Sequence, residues 1–306
     1  MTKILIATEK PFAKVAIEGI TKIISEAGYE TILLEKYTSS DDLIKAVADA
    51  DALIIRSDKA TKQVIEAGKN LKLIVRAGAG YDNIDLAAAS AKGIVAMNTP
   101  GQNSNAVAEL TFGMLVFMAR DNFKGGSGTE LKGKKIGIHA YGNVGKNVAR
   151  IAKGFAMDVY AFDPFVPREI IEKDGIKGVD SVEELYSACH YISLNIPATE
   201  KTKNSINLEL LSKMPLGATV INTARKEVIN EEELKQVFVT RPDFKYITDI
   251  MPDCHQELLK FEHRYYCTPK KQGAETSEAN INAGLAAANQ IVNFFKNGDT
   301  TFQVNK

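Results

Sequence analysis

The sequence predicts an α/β protein built on two doubly wound parallel sheets. Three observations point there. Short apolar runs of β type alternate with stretches whose apolar residues recur at helical spacing. That alternation restarts near the middle of the chain. The length, 306 residues, is that of about two domains. A composition of 45% hydrophobic and 25% charged residues is that of a globular protein able to bury its core without covalent staples.

The first series opens with a strand over residues 3–7. Phe12, Val15, Ala16, Ile20, Ile23 and Ile24 then fall on one helical face. Strands follow over 31–34, 52–55 and 73–75, each succeeded by helix, turn or loop. Residues 104–120 read as a long helix able to bridge the domains, and Gly125-Gly126-Ser127-Gly128 as a flexible linker or loop tip. The second series has strands over 134–138, 158–161, 191–194, 219–221 and 246–248, with a helix around 147–153. A last long helix over 277–295 carries Ile281, Leu285, Ala288, Val292 and Phe295 on one face. Strands alternating with helices imply parallel sheets.

The charges cancel, 38 Lys+Arg against 38 Asp+Glu. That balance argues against a nucleic-acid binder with a broad basic surface and against a polybasic membrane anchor. Cys189, Cys254 and Cys267 are odd in number and widely spaced, which suits neither a disulfide framework nor a zinc site. The N-terminal apolar run is too short for a signal segment or a membrane span. A reducing, cytoplasmic location is expected. No histidine pair has metal-ligand spacing, so no metal is expected.

The chemistry concentrates at strand ends. Residues 137–145, Gly-Ile-His-Ala-Tyr-Gly-Asn-Val-Gly, follow a strand and open a helix. They form a dinucleotide fingerprint, G-x-G-x-x-G, with Ala140 at its first glycine. Gly142 admits a pyrophosphate to the backbone, Gly145 lets helix and strand pack, and the amides around Asn143 and Val144 face the phosphates. Asp163 lies 18 residues past Gly145, at the end of the next strand. Its carboxylate suits the ribose hydroxyls and repels a 2′-phosphate, so the expected cofactor is NAD. Arg225, just beyond the strand of residues 219–221, stands where open α/β sheets place their ligands. Its guanidinium can hold a carboxylate through two parallel hydrogen bonds.

Several ordered segments resemble the D-isomer-specific 2-hydroxyacid dehydrogenase family. They are Arg76-Ala77-Gly78-Ala79-Gly80-Tyr81-Asp82-Asn83-Ile84-Asp85, residues 98–104 and 106–110, Ser193-Leu194-Asn195-Ile196-Pro197 and Ile221-Asn222-Thr223-Ala224-Arg225. The resemblance covers nearly the whole chain. It implies two Rossmann-like domains, the NAD domain (98–280) inserted into a substrate domain made of 1–97 and 281–306, with the cofactor in the cleft between them. It adds Asn195, Ile196, Pro197, Thr223, Ala224 and Asp249 to the cofactor-binding residues. Within the family, Arg56-Ser57 and the run 103–110 resemble the phosphoglycerate dehydrogenase branch. The implied substrate is therefore a small phosphorylated 2-hydroxy acid, with Arg56, Ser57, Arg76, Ala77 and Gly78 binding it, in the entry step of serine synthesis. The family is usually a homodimer. A glyoxylate or hydroxypyruvate reductase and an inactive NAD-sensing protein are the alternatives.

The chain departs from the family in its acid/base machinery. Lys270 stands after Thr268-Pro269 where the family carries a catalytic His. The orienting Glu is expected five residues past Asp249, where Cys254 is found. Asp253 or Glu257 is a substitute if the spacing shifts. Lys226-Glu227 replaces the Gly-Gly that follows the Arg. A free lysine titrates at about 10.4, too high for a base near neutrality unless burial or like charges lower it, and a neighbouring Glu would raise it. Loss of the Glu is thus consistent with Lys270 as the proton shuttle beside Arg225. Arg56, Arg76, Arg225, Lys270 and Lys271 are expected to converge on one small anion. Of the histidines, His139 could contact cofactor, His190 packs, and His255 and His263 lie at the surface.

Overall fold

The computed structural model describes residues 1–306, which divide into two compact units, 1–103 with 275–306, and 104–274. In chain order the first unit runs β1 (Lys3–Thr8), α1 (Lys14–Glu26), β2 (Glu30–Glu35), α2 (Ser40–Val47), β3 (Ala52–Ile55), α3 (Lys62–Ala67), β4 (Leu73–Arg76), α4 (Leu86–Ala91) and β5 (Val95–Asn98). The second runs α5 (Ser104–Ala119), β6 (Lys135–His139), α6 (Asn143–Gly154), β7 (Asp158–Phe162), α7 (Arg168–Lys173), β8 (Lys177–Gly178), α8 (Val182–Ala188), β9 (Tyr191–Leu194), α9 (Leu208–Ser212), β10 (Thr219–Asn222), α10 (Glu231–Thr240), β11 (Lys245–Thr248), α11 (His255–Leu258) and β12 (Tyr265–Cys267). The final helix α12 (Ser277–Asn297) returns to the first unit.

The first unit holds a five-stranded parallel sheet in the order β2-β1-β3-β4-β5. All four residues of β3 are buried, as expected of a strand covered on both faces. Leu5, Leu53 and Ile74 face one core, and Ile4, Ile54 and Leu73 the other. The second core is closed by α1 against α12, and glycines set their approach. A Cβ on Gly284 would come within 2.7 Å of Ile20, and one on Gly19 within 2.6 Å of Leu285. The buried stripe of α12 is Ala283, Ala287, Ala288 and Ile291, with Leu285 only partly covered. Of the face expected on Ile281, Leu285, Ala288, Val292 and Phe295, Ala288 is buried and the other four are half-buried, because the close approach to α1 favours small residues over bulk.

The second unit holds a seven-stranded parallel sheet, β12-β11-β10-β9-β6-β7-β8. Val220 and Tyr246 feed the core on one face, Ile221 and Ile247 that on the other. Strand order reverses between β9 and β6, which creates a topological switch point there.

Three strands escaped the sequence reading, β5, β8 and β12. All are sheet edges, where one flank meets fewer apolar neighbours and the run is short. The chain terminus partly covers the β5 edge, with Val304 N donating to Ala96 O at 2.8 Å. The glycine stretch is not an interdomain linker. It lies inside the second unit, with Thr129 N bonded to Ala119 O at 2.7 Å, and α5 belongs wholly to that unit. The unit boundaries fall inside the expected 98 and 280. Asn98 Nδ2 and Thr99 N bond Ala79 O and Gly78 O, and Thr276 caps α12, so both flanks stay with the first unit.

Candidate functional site

All seven strands of the second unit are parallel, so their carboxyl ends share one edge of the sheet. The structure brings thirteen of the expected residues to that edge: Gly142, Asn143, Val144, Gly145, Asp163, Asn195, Ile196, Pro197, Thr223, Ala224, Arg225, Asp249 and Lys270. The glycine turn follows β6 at the switch point. Gly142 caps α6 with no side-chain capping bond, and a Cβ there would meet nothing within 4 Å. A Cβ on Gly145 would overlap Ala140 O, which is the close helix–strand packing expected of it. Ala140 occupies the left-handed region, φ 79°, at the position where the fingerprint carries glycine.

Asp163 ties this turn to the end of β7. Its Oδ2 accepts from Tyr141 N at 2.7 Å and its Oδ1 from Phe165 N at 2.8 Å. Beside the switch point, Asn195 Oδ1 is buried without a partner. The open approach at Gly142, the uncapped helix start and this orphaned acceptor fit a dinucleotide. His139 does not join them. It is buried, its Nδ1 lies 3.2 Å from the Tyr186 hydroxyl, and burial pushes its pKa down to about 4.

Two buried residues shape the catalytic-type side chains. Asn222 folds the turn that carries Arg225: its Oδ1 accepts from Ala224 N at 3.0 Å and its Nδ2 donates to Arg225 O at 2.9 Å. Arg225 itself is exposed, with one donation to Ala224 O. Asp249 grips the loop that carries Lys270. It accepts from Thr268 Oγ1 at 2.7 Å, Gln272 N at 2.8 Å and Gly273 N at 2.7 Å. Lys270 sits exposed in the middle of that loop. Arg225 and Lys270 follow β10 and β12, strands separated by β11 alone and so roughly 10 Å apart. Both substitutes for the family Glu are committed elsewhere. Asp253 pairs with Lys226 at 2.5 Å and Glu257 with Lys235 at 3.0 Å.

The first unit gathers its own cationic set after β3 and β4. The Arg56 guanidinium lies over the Phe12 ring at 5.1 Å and donates to Asn280 Oδ1 at 2.5 Å and to Lys10 O and Pro11 O at 3.3 Å. Arg76 Nε donates to Arg56 O at 3.0 Å, and burial, reinforced by the Arg56 charge, lowers its pKa against the pull of Asp82. Gly78 has φ 149°, and a Cβ there would overlap Arg76 Nη1, so only glycine lets the guanidinium lie across it. The amides of Ala77 and Gly78 are taken by Ile55 O and Arg76 O. Ser57 is exposed beside Arg56.

Sequence reasoning passed over the residues that brace these arginines. Buried Asp58 accepts from Glu9 N at 2.6 Å, Tyr37 Oη at 2.8 Å and Arg56 N at 3.1 Å. Asn83 Nδ2 bonds Arg56 O and Asp58 O. Asn83 and Asn222 lie within the segments that carry the family resemblance, a signal that could have found them. Nothing in the sequence marks Asp58.

The chain is similar to known proteins along most of its length. The family model described as "D-isomer specific 2-hydroxyacid dehydrogenase, catalytic domain" matches residues 8–305. A D-3-phosphoglycerate dehydrogenase of Methanocaldococcus jannaschii is 35% identical over 291 residues, covering 90% of this chain and 55% of the relative. A hydroxypyruvate reductase of Thermotoga maritima is 35% identical over 282 residues, covering 86% of this chain and 90% of the relative. The chain thus spans about half the length of the first of these. A solved NAD+-bound 3-phosphoglycerate dehydrogenase of Entamoeba histolytica is 49% identical, with a TM-score of 0.87, covering 100% of this chain and 99% of that one.

Proposed function

This chain belongs to the D-isomer specific 2-hydroxyacid dehydrogenase family, and we propose that it is an NAD-dependent enzyme oxidising D-3-phosphoglycerate to 3-phosphohydroxypyruvate, the step that opens serine synthesis. The observation that carries the substrate is the Arg56–Arg76 set in the first unit, where the Arg76 guanidinium is held on the backbone carbonyl of Arg56. A pair of fixed cationic forks suits a phosphate and has no use with an uncharged terminal hydroxyl.

In this reading Gly142 and the start of α6 hold the pyrophosphate, Asp163 the adenosine ribose, and Asn195, Ile196, Pro197, Thr223, Ala224 and Asp249 line the cofactor's remaining course. Bound NAD+ supplies the acceptor for the C2 hydride. Arg225 holds the substrate carboxylate, kept in place by Asn222. Lys270 takes the C2 hydroxyl proton at Nζ in oxidation and returns it in reduction. Asp253 and Glu257 pair with Lys226 and Lys235 rather than with Lys270, which leaves Lys270, exposed in the middle of its loop, open to a substrate. No helix is long and apolar enough to cross a membrane. A cytoplasmic homodimer is the working form we propose.

The similarity to a hydroxypyruvate reductase along 90% of that relative's length supports one other reading, reduction of an unphosphorylated 2-oxo acid. NADH absorbance across a panel of phosphorylated and plain 2-hydroxy and 2-oxo acids separates the two. We expect turnover of 3-phosphoglycerate and a KM for it at least tenfold higher in Arg56→Ala. Equal loss with glycerate and phosphoglycerate would favour the reductase. No turnover of any acid would refute both.

A further inference from the structure

The opposite edge of the second unit's sheet, where its strands begin, also gathers charge. Lys245 opens β11, Thr219 opens β10, Tyr191 opens β9 and Lys134 directly precedes β6. These are four adjacent strands, and Thr219 is in register with both Lys245 and Tyr191. With Leu115 and Met118 of α5 they line a pocket of about 220 Å³. We propose that this pocket binds a small organic anion, a carboxylate or phosphate on a short apolar body, between Lys134 and Lys245.

The two lysines differ from the tightly paired ones of the chain. Lys3, Lys213, Lys226 and Lys235 each pair with a carboxylate at 3.0 Å or less. Lys134 and Lys245 have none within the 4.0 Å of an ion pair. Lys134 instead lies 6.0 Å over the Tyr191 ring. Lys245 is half-buried, and its pKa is lowered by burial first and by the Lys134 charge as well, with Asp121 the one carboxylate acting against this. Two half-buried like charges with no ion-pair partner are only partly offset by Asp121, and a bound anion would offset them further. His190 lines the same pocket, and its Nδ1 is buried without a hydrogen-bond partner. Leu216, exposed at the rim, offers an apolar side chain that inorganic phosphate would leave unused. The volume is too small for a dinucleotide and suits an acid of a few carbons.

Lysine acylation read by mass spectrometry tests the site on the intact protein. Butyrate and inorganic phosphate serve as probes, with sodium chloride at matched ionic strength as control. We expect millimolar butyrate to slow labelling of Lys134 and Lys245 at least threefold while Lys3 and Lys213 are unchanged. A double Lys134→Gln, Lys245→Gln variant should lose the rise in melting temperature that butyrate gives the parent. Unchanged labelling with both probes, or uniform slowing of all lysines, would overturn the site. Protection by phosphate alone would overturn the organic body of the ligand. A butyrate-induced rise retained in the double variant would overturn the role of the two lysines.

Discussion

Gly78→Ala tests how the first unit builds its anion site. The new methyl would overlap Arg76 Nη1 and lie 2.5 Å from its Cζ, about 1 Å inside ordinary carbon contact. The backbone at φ 149° also resists a side chain. Holding alanine in such a region costs about 1–3 kcal/mol. Expelling the guanidinium breaks the bond from Arg76 Nε to Arg56 O, about 1 kcal/mol more. Unfolding in urea should therefore show a loss of about 2–4 kcal/mol. If Arg76 binds the substrate phosphate as proposed, displacing it also removes a charge-assisted contact worth about 1.5–3 kcal/mol, or roughly 10- to 150-fold in KM. Gly80→Ala is the control, since its Cβ would meet only Asp82 Oδ1, at 3.1 Å. A Gly78→Ala protein with parental stability and parental KM for phosphoglycerate would refute the reasoning.

Three further outcomes are expected. Ala140→Gly should stabilise the protein by about 1 kcal/mol, because alanine at φ 79° is strained where glycine is not; an unchanged or lower urea midpoint would contradict this. Lys270→Ala should lower kcat by roughly 10²- to 10⁴-fold, the worth of a positioned acid/base, with a small change in KM; near-normal turnover would remove Lys270 from the mechanism. His139 should stay neutral in the folded protein until pH about 4. The unfolded chain takes up that proton below about pH 6.5, so this group costs stability as pH falls from 6.5 to 4, reaching about 3 kcal/mol. Imidazole NMR with a His139 midpoint near 6.5 would show the ring is not desolvated.

Much of the edge that carries the cofactor-type residues was legible because it is local. The glycine turn, Asp163, Asn195 and the Asn222–Arg225 turn each follow directly on a strand whose apolar run marks it. In a parallel sheet, sequence position after a strand is already position on one edge. The edge strands β5, β8 and β12 were not legible, β8 and β12 being two and three residues long and all three having a single strand neighbour in their sheet. Nor was the true face of α12, which depends on its own Gly284 and on Gly19 of α1.

The sequence by itself determined the alternation of strand and helix, the strand-end motifs and the lysine, Lys270, that follows Thr268-Pro269. Each is written in consecutive residues. Only the tertiary structure decided what those residues touch. It committed Asp253 and Glu257 to Lys226 and Lys235, turned Asp249 into the anchor of the Lys270 loop and laid Arg76 across Gly78. It also set Lys134 and Lys245 at one pocket across four strands. The order β12-β11-β10-β9-β6-β7-β8 makes neighbours of segments far apart in the chain, and charge pairing, burial and close packing depend on neighbours in space.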